Sequence, residues 1–407
     1  MLDDVRVLEI SAPETMMAGS ILAALGADVV VVEPPGGAAG RRMAPFIDDL
    51  PGLEHSLVWH AMNANKRAIT LDLSATDGRD LVSRLAGGFD AAIDAVDSRD
   101  AAAPLDAIVM PERIVRTRIS AFAPTGPKSA YAASDLVVMA ASGAPGVTGD
   151  PDRPPLFFPV PQAMMEAGAD AAVATLGALA ARDRDGRGQT ARVSARIAAM
   201  MSAMSQMLAP AAGNPEIPRT GGSISIAGVE LPSVYGCADG FVLITVAFGP
   251  VFGQMTNRLA KWAVEEKHLA PEFGAIDWTT FIGDLQARTR KPSDLAALVE
   301  GLKSLARSLT KAEIGAAARR LGLLASPVMD MRDVAESRHY RERGLFAPAR
   351  AGGRAIDVPA RFARFSNFTI EIRRPAPALS EHTVEILETE LGLSRPEIQA
   401  LFAHGVI

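Results

Sequence analysis

The chain has 407 residues, with 41 Lys and Arg against 47 Asp and Glu for a formal net charge of -6, and 48% of its residues are apolar. That balance, without a clustered basic stripe, argues against nucleic acid as a principal partner, because phosphate binding needs a local surplus of Lys and Arg. Cys237 is the single cysteine, which excludes an internal disulfide and a cysteine-based zinc site, and the six scattered histidines suggest no metal centre.

The opening Met-Leu-Asp-Asp-Val-Arg-Val carries acid where a secretory leader carries basic residues, and the Ala-rich stretch near 168–182 is broken by Asp170. A cytoplasmic protein with no membrane partner is expected. At about 100 to 200 residues per domain the length suggests two or three domains.

Residues 5–10, Val-Arg-Val-Leu-Glu-Ile, predict a strand, followed by a Ser-Ala-Pro turn and a helix over about 16–25. The continuous apolar run 29–32 suits a buried parallel strand, and strand, helix and strand within about 30 residues make a βαβ unit. The rhythm continues with strands over 68–73, 90–95 and 113–119 and a helix over 77–87, which predicts an α/β half with a mainly parallel sheet. A buried helix is expected over 163–182, stopped by Asp185-Gly186-Arg187-Gly188-Gln189, then a strand over 192–195 and a Met-rich helix over 197–209. Between 213 and 233 the composition turns to Gly, Pro, Ser and Asn, as in a linker. A strand over 241–248 and charged helices to about 320 read as a smaller domain, and the last part ends in a helix capped by Ser394 or Pro396. The expected division is 1–212, 213–325 and 326–407.

Familiar catalytic signatures are missing: there is no Gly-x-Ser-x-Gly elbow, P-loop, zinc helix or Gly-x-Gly-x-x-Gly after the first strand. In Ser380-Glu381-His382-Thr383, His382 could act as a base, but Ser380 ahead of an amphipathic stretch is better read as a helix cap. Gly186-Arg187-Gly188-Gln189 could cradle a phosphate, yet a helix-to-strand turn needing Gly at positive φ explains it more simply. Lys66 and Arg67 either meet an anionic ligand or are exposed strand-edge cations. Trp59, Trp262 and Trp278 are expected in the core or an interface rather than as stacking platforms.

Taken together and in order, several segments resemble the family III CoA-transferases, which include formyl-CoA and carnitine CoA-transferases and α-methylacyl-CoA racemase. They are Val5 to Ile10, Leu25-Gly26-Ala27-Asp28-Val29 with Glu33-Pro34-Pro35-Gly36-Gly37, Asn65-Lys66-Arg67 with Leu71-Asp72-Leu73, Thr125-Gly126-Pro127 and Ser134-Asp135-Leu136. Ser142-Gly143, Thr148-Gly149, Pro154-Pro155, Gly186-Arg187-Gly188-Gln189, Pro327-Val328 and Glu381-His382-Thr383 continue the set over nearly the whole chain. The resemblance implies a large Rossmann-like domain built from both chain ends, a small middle α/β domain, and two chains threaded as interlocked rings. It also implies a coenzyme A thioester as substrate with no covalently bound cofactor, and CoA contacts from Lys66, Arg67, Leu71, Asp72, Leu73, Ser74, Ala95 and Val96.

In that family one Asp attacks the donor thioester to give an acyl anhydride, because a carboxylate is both nucleophile and leaving group. The family places it four residues before the Gly that corresponds to Gly168, so its position here is Met164, and a thioether cannot form an anhydride. Glu166 is the fallback nucleophile, although two residues along a helix is about 200° of rotation, which would turn its carboxylate away. The family's Glu-Asn-Phe reads Asp94-Ala95-Val96, the Arg-Pro-Gly after it is absent, and its multi-Gly loop shrinks to Gly221-Gly222.

No catalytic residue is therefore expected in this chain, which resembles the Asp-lacking subunit of heteromeric members whose homologous partner carries the Asp. Members of that kind act on succinyl-CoA and a carboxylic acid acceptor. A self-contained hydrolase or isomerase using Glu166 or Asp135, or an inactive acyl-CoA-binding homologue, are the alternatives. A racemase is disfavoured because Ser134 and Met164 stand where its His and Asp would be.

Overall fold

The computed structural model describes residues 1–96, 102–213 and 218–407. The N-terminal half alternates strands and helices: β1 (Arg6–Ile10), α1 (Met16–Ala24), β2 (Asp28–Glu33), α2 (Leu57–Met62), β3 (Lys66–Thr70), α3 (Thr76–Ala86) and β4 (Ala91–Val96). It goes on through α4 (Ala103–Asp106), β5 (Val115–Ser120), α5 (Asp135–Ser142), α6 (Gln162–Asp185), β6 (Thr190–Ser194), α7 (Ala195–Met201) and α8 (Met204–Ala211). The six strands form one parallel sheet in the order β3-β2-β1-β4-β5-β6.

Burial on both faces explains the unbroken apolar runs, since successive strand side chains point to opposite sides. Val7, Val29, Ile93 and Val115 pack on one side against α1, α5 and α6, where Leu22, Met139, Ala167 and Ala171 are buried. Leu8, Val30, Ile69 and Ala92 pack on the other against Leu81, Val82 and Leu85 of α3 and against side chains from the chain's end.

One compact unit comprises Met1–Val147, the described residues from Leu156 to Gly213, and His339–Ile407, so both chain ends build it. Its last stretch holds the hairpin β12 (Phe346–Ala351) and β13 (Arg354–Pro359), then α16 (Thr383–Thr389) and α17 (Arg395–Ala403), whose Ile386, Leu387 and Ile398 join the second face of the sheet. Ser394 caps α17 with Glu397 in a reciprocal box. Ser380 does not cap α16: it has φ +64°, and the N-cap is His382.

The second unit, Thr148–Pro155 with Pro218–Arg338, has its own core. It contains β7 (Ser223–Ile226), β8 (Val229–Pro232), β9 (Val234–Cys237), β10 (Gly240–Ile244), α9 (Gly249–Glu265), α10 (Pro271–Gly274), α11 (Phe281–Gln286), α12 (Pro292–Ser308), α13 (Lys311–Leu321), β11 (Ala325–Val328) and α14 (Met331–Glu336). β11 pairs antiparallel with β10, and Lys311 is tied to Asp333 of α14. Those two contacts put 326–338 with the middle unit, and the chain returns to the first unit only within α15 (Arg338–Glu342). Of the expected linker over 213–233, residues 214–217 lie outside the described residues, and β7 and β8 form a hairpin in the rest. Trp59, Trp262 and Trp278 are all buried, as composition predicts for tryptophan in a core.

Candidate functional site

In an open parallel sheet, ligands bind beyond the carboxyl ends of the strands where the strand order reverses, because the outgoing connections diverge there and leave a crevice. Here that point lies between β1 and β4. A cleft of about 780 Å³ occupies it, lined by Ser11 to Glu14 after β1, Ala95 and Val96 at the end of β4, Ala132 to Ser134 and Val137 around the start of α5, and Met164 in the first turn of α6. The two expected CoA contacts Ala95 and Val96 thus meet Met164 on one surface. The segment after Val96, where the family's Arg-Pro-Gly would stand, lies outside the described residues.

The first turn of α6 is held from outside. Its N-cap is Pro161, which has no side chain to accept a hydrogen bond, and the Asp135 carboxylate of α5 accepts from the Met164 N–H at 2.9 Å instead. The other Asp135 oxygen is buried without a partner, and a small recess shared with the cleft reaches this residue beside Glu14 and Met164. Burial raises the Asp135 carboxyl above the ordinary carboxylate range, opposed by the backbone N–H groups of α6.

Glu166 does not line the cleft, but its carboxyl has a buried oxygen without a partner and is raised by burial and by the nearby charges of Asp135 and Asp170. Asp135 and Glu166 are thus both shifted toward the neutral form, and of the two only Asp135 shares the recess with Met164. Ser134 is the N-cap of α5 and lines the cleft without a side-chain capping bond.

The remaining expected contacts fall elsewhere. Leu71 to Ser74 form the turn after β3, with Leu71 buried and the Asp72 carboxylate accepting from the Ser74 N–H at 2.9 Å and from its hydroxyl at 2.7 Å. In the sheet order β3 stands three strands from β4, roughly 14 Å at the usual strand spacing.

Lys66 and Arg67 begin β3, so they stand at the opposite end of a parallel strand, roughly 17 Å of chain below Leu71. Lys66 is neither a free surface cation nor available to a phosphate: it is wholly buried, and its ammonium donates to Glu9 at 2.7 Å, Asn63 at 2.9 Å and the Met16 carbonyl at 3.1 Å. Arg67 is committed to Asp28 at 2.6 Å and Glu390 at 2.9 Å. His382 is also structural: its backbone N–H donates to the Ala68 carbonyl, its ring Nδ1 accepts from the Ala68 N–H at 3.3 Å, and burial lowers its pKa.

Sequence reasoning missed a second buried ion pair that shapes the same edge of the sheet. Arg41 grips both oxygens of Glu33 at 2.7 and 2.8 Å, lies 4.0 Å over the Trp59 ring, and donates to the Pro377 carbonyl at 3.0 Å. Glu33-Pro34-Pro35-Gly36-Gly37 carried the signal for a turn after β2, and Arg41 lies only eight residues on, but the Pro377 carbonyl that completes its setting arrives from 336 residues away. Asp94, buried at the end of β4, is held by Arg116 and Arg118 of the neighbouring strand. Its carboxylate is occupied by the sheet.

Residues 2–383 match the sequence profile of CoA-transferase family III. The chain belongs to this family. It is 28% identical to the succinyl-CoA:(R)-benzylsuccinate CoA-transferase subunit BbsE of Thauera aromatica, over 99% of this chain and 97% of that one. It is also 28% identical to the succinate–glutarate CoA-transferase of Agrobacterium fabrum, over 95% of this chain and 94% of that one. Among solved structures, a CaiB/BaiF family protein from Brucella suis superposes with a TM-score of 0.77 at 25% identity, covering 96% and 99% of the two chains. As a family III chain it has the Rossmann-like unit that the resemblance implied, and no helix among its described residues is long and apolar enough to cross a membrane.

Proposed function

We propose that this chain is the non-nucleophilic subunit of a heteromeric family III CoA-transferase that moves CoA from a donor thioester, such as succinyl-CoA, to a carboxylic acid acceptor. The observation that carries this is Met164. It stands in the first turn of α6, facing the switch-point cleft, at the position where family resemblance places the nucleophilic Asp. A thioether is too poor a nucleophile toward a thioester to start the exchange.

Similarity to a protein named as a subunit supports the heteromer, as do Ile197, Met201, Met204 and Leu208, exposed apolar side chains on α7 and α8 that suit a partner's surface. A homologous chain carrying the Asp supplies the nucleophile, and the two fold around each other as interlocked rings in the cytoplasm. Ala95, Val96 and Leu71 to Ser74 then contact CoA, while Lys66 and Arg67 hold the sheet together.

A self-contained catalyst using Glu166 is the second reading, favoured by its raised, partnerless carboxyl beside Asp135. Glu166→Gln separates the two. The purified chain alone is expected to show no succinyl-CoA-dependent transfer, and none in this variant. Transfer by the chain alone that disappears in Glu166→Gln replaces the heteromer with the second reading.

A further inference from the structure

Ser304 and Ser308 stand four residues apart on α12, so their hydroxyls share one face of that helix, and the ring of His268, from the turn after α9, bridges the two. We propose that Ser304 is a nucleophilic serine, with His268 as its base and Ser308 fixing the ring, and that it accepts a short acyl group from an activated ester. The site is built from the second unit alone and does not depend on the transferase reading.

The backbone sets the ring in place. α9 ends at Glu265, Lys267 takes a left-handed φ of +63°, and the His268 N–H donates back to the Ala263 carbonyl at 2.8 Å. Gly301 lets α12 approach this turn, since a Cβ there would stand 3.0 Å from the His268 carbonyl oxygen. The histidine is half-buried and both serines are exposed. A hollow of about 330 Å³, walled by Val264, Lys267, His268, Leu269, Ala270 and Pro271, offers a short apolar group a place beside the ring.

The hydrogen bonds leave one arrangement of protons for the neutral ring. Ser308 Oγ lies 2.8 Å from the Leu305 carbonyl, which can only accept, so the hydroxyl proton goes there and Ser308 accepts from His268 Nε2–H at 3.1 Å. Nδ1 is then the unprotonated nitrogen, and it accepts from the Ser304 hydroxyl at 2.8 Å. Nucleophile, base and a third group that orients the base are in contact in the order that an activated serine needs. In the reaction Ser304 Oγ bonds to the ester carbonyl carbon, its proton passes to Nδ1, and the bond from that carbon to the leaving oxygen breaks. The proton then passes from Nδ1 to the departing oxyanion or to water, which restores the neutral ring.

The test is reaction of the full chain with p-nitrophenyl acetate, read by release of nitrophenolate and by peptide mass mapping. A burst of about one nitrophenolate per chain is expected, with the acetyl group on Ser304. Ser304→Ala removes the burst, and His268→Gln slows it about a hundredfold, the scale of a lost general base. Ser308→Ala, which frees the ring to exchange its tautomer, slows it about tenfold, and Ser308→Thr, which keeps a hydroxyl, restores the parent rate. Circular dichroism checks that each variant is folded, and the position of the acetyl group in the parent chain decides the matter without any variant. Acetyl groups on lysines alone, a burst that survives Ser304→Ala, or a rate that His268→Gln leaves unchanged overturns the assignment, and none of these outcomes touches the transferase reading.

Discussion

Lys66 and Glu9 share a site from which water is excluded, and Gly19 makes room for it: a Cβ there would stand 1.8 Å from the Glu9 carboxylate. Burial pushes the Glu9 carboxyl up and the Lys66 ammonium down, each opposed by the other's charge. Breaking such a pair from one side leaves an uncompensated charge. Lys66→Met is expected to lower unfolding free energy by about 3 to 5 kcal/mol in urea melts, and adding Glu9→Gln to restore much of it. CoA-thioester affinity measured on the folded fraction stays unchanged. Sequence alone reads two adjacent cations before a strand as ligand or surface, because nothing local reveals that Glu9, 57 positions away, waits beside Lys66.

Asp135 gives a second test at this scale. Its folded-state ionisation is raised, so folding is unpenalised below the unfolded value near 3.9 and loses stability as pH rises through the folded value. Asp135→Asn, which keeps an oxygen to accept from Met164, is therefore expected to match the parent in Tm near pH 4 and to exceed it at pH 7.5. A difference that does not change with pH contradicts the assignment.

Among the elements, α1 and α6 approach closely because Gly168 has no side chain: a Cβ there would lie 2.7 Å from the Cβ of Met17 and 3.1 Å from the Glu14 carbonyl. Gly168→Ala is expected to cost about 1 to 3 kcal/mol in a denaturant melt by overpacking, and to shift the loop that carries Glu14 on the cleft wall. The turn after α6 is likewise dictated by backbone. Gly186 ends the helix at φ +74°, and a Cβ on Gly188 would stand 2.2 Å from the Ile114 carbonyl, so the turn reading of Gly186-Arg187-Gly188-Gln189 accounts for both glycines.

Elements whose pattern is local were legible. The run 29–32 and the long Ala-rich helix fall within a few residues of β2 and α6. The Met-rich stretch 197–209 instead breaks at Ser202 and Ala203 into α7 and α8, which uniform apolar composition does not announce. The strands β7 to β9 and β11 to β13 were not legible because they are only four to six residues long and most contain Gly or Pro. β7–β8 and β12–β13 are local hairpins, β9 pairs with its neighbour β10, and only β11 depends on a strand roughly 80 residues earlier, β10.

For the whole molecule, alternation of strand and helix predicts a parallel sheet, and the order β3-β2-β1-β4-β5-β6 then fixes where a ligand can enter. The cleft could be placed at Ala95, Val96 and Met164 from family spacing, whereas Asp135 as the remote cap of α6 required the fold. The proposed heteromer assigns the apolar side chains exposed on α7 and α8 to a partner's surface. Leu208→Asp, at a position 57% exposed, is expected to leave the thermal unfolding of the isolated chain within about 0.5 kcal/mol of the parent and to abolish copurification with the Asp-bearing homologue.

Where the nucleophile resides decides between the two readings of this chain. The direct measurement is succinyl-CoA-dependent CoA transfer by this chain co-expressed with a homologue that has Asp at the position of Met164, with the homologue's Asp then replaced by Ala, and with Met164→Asp in this chain run alongside. Transfer by the intact complex is predicted, with loss when the homologue's Asp is removed and no effect of Glu166→Gln. Full activity of the complex after the homologue's Asp is gone, together with loss in Glu166→Gln, would place the chemistry in this chain and contradict the heteromeric assignment.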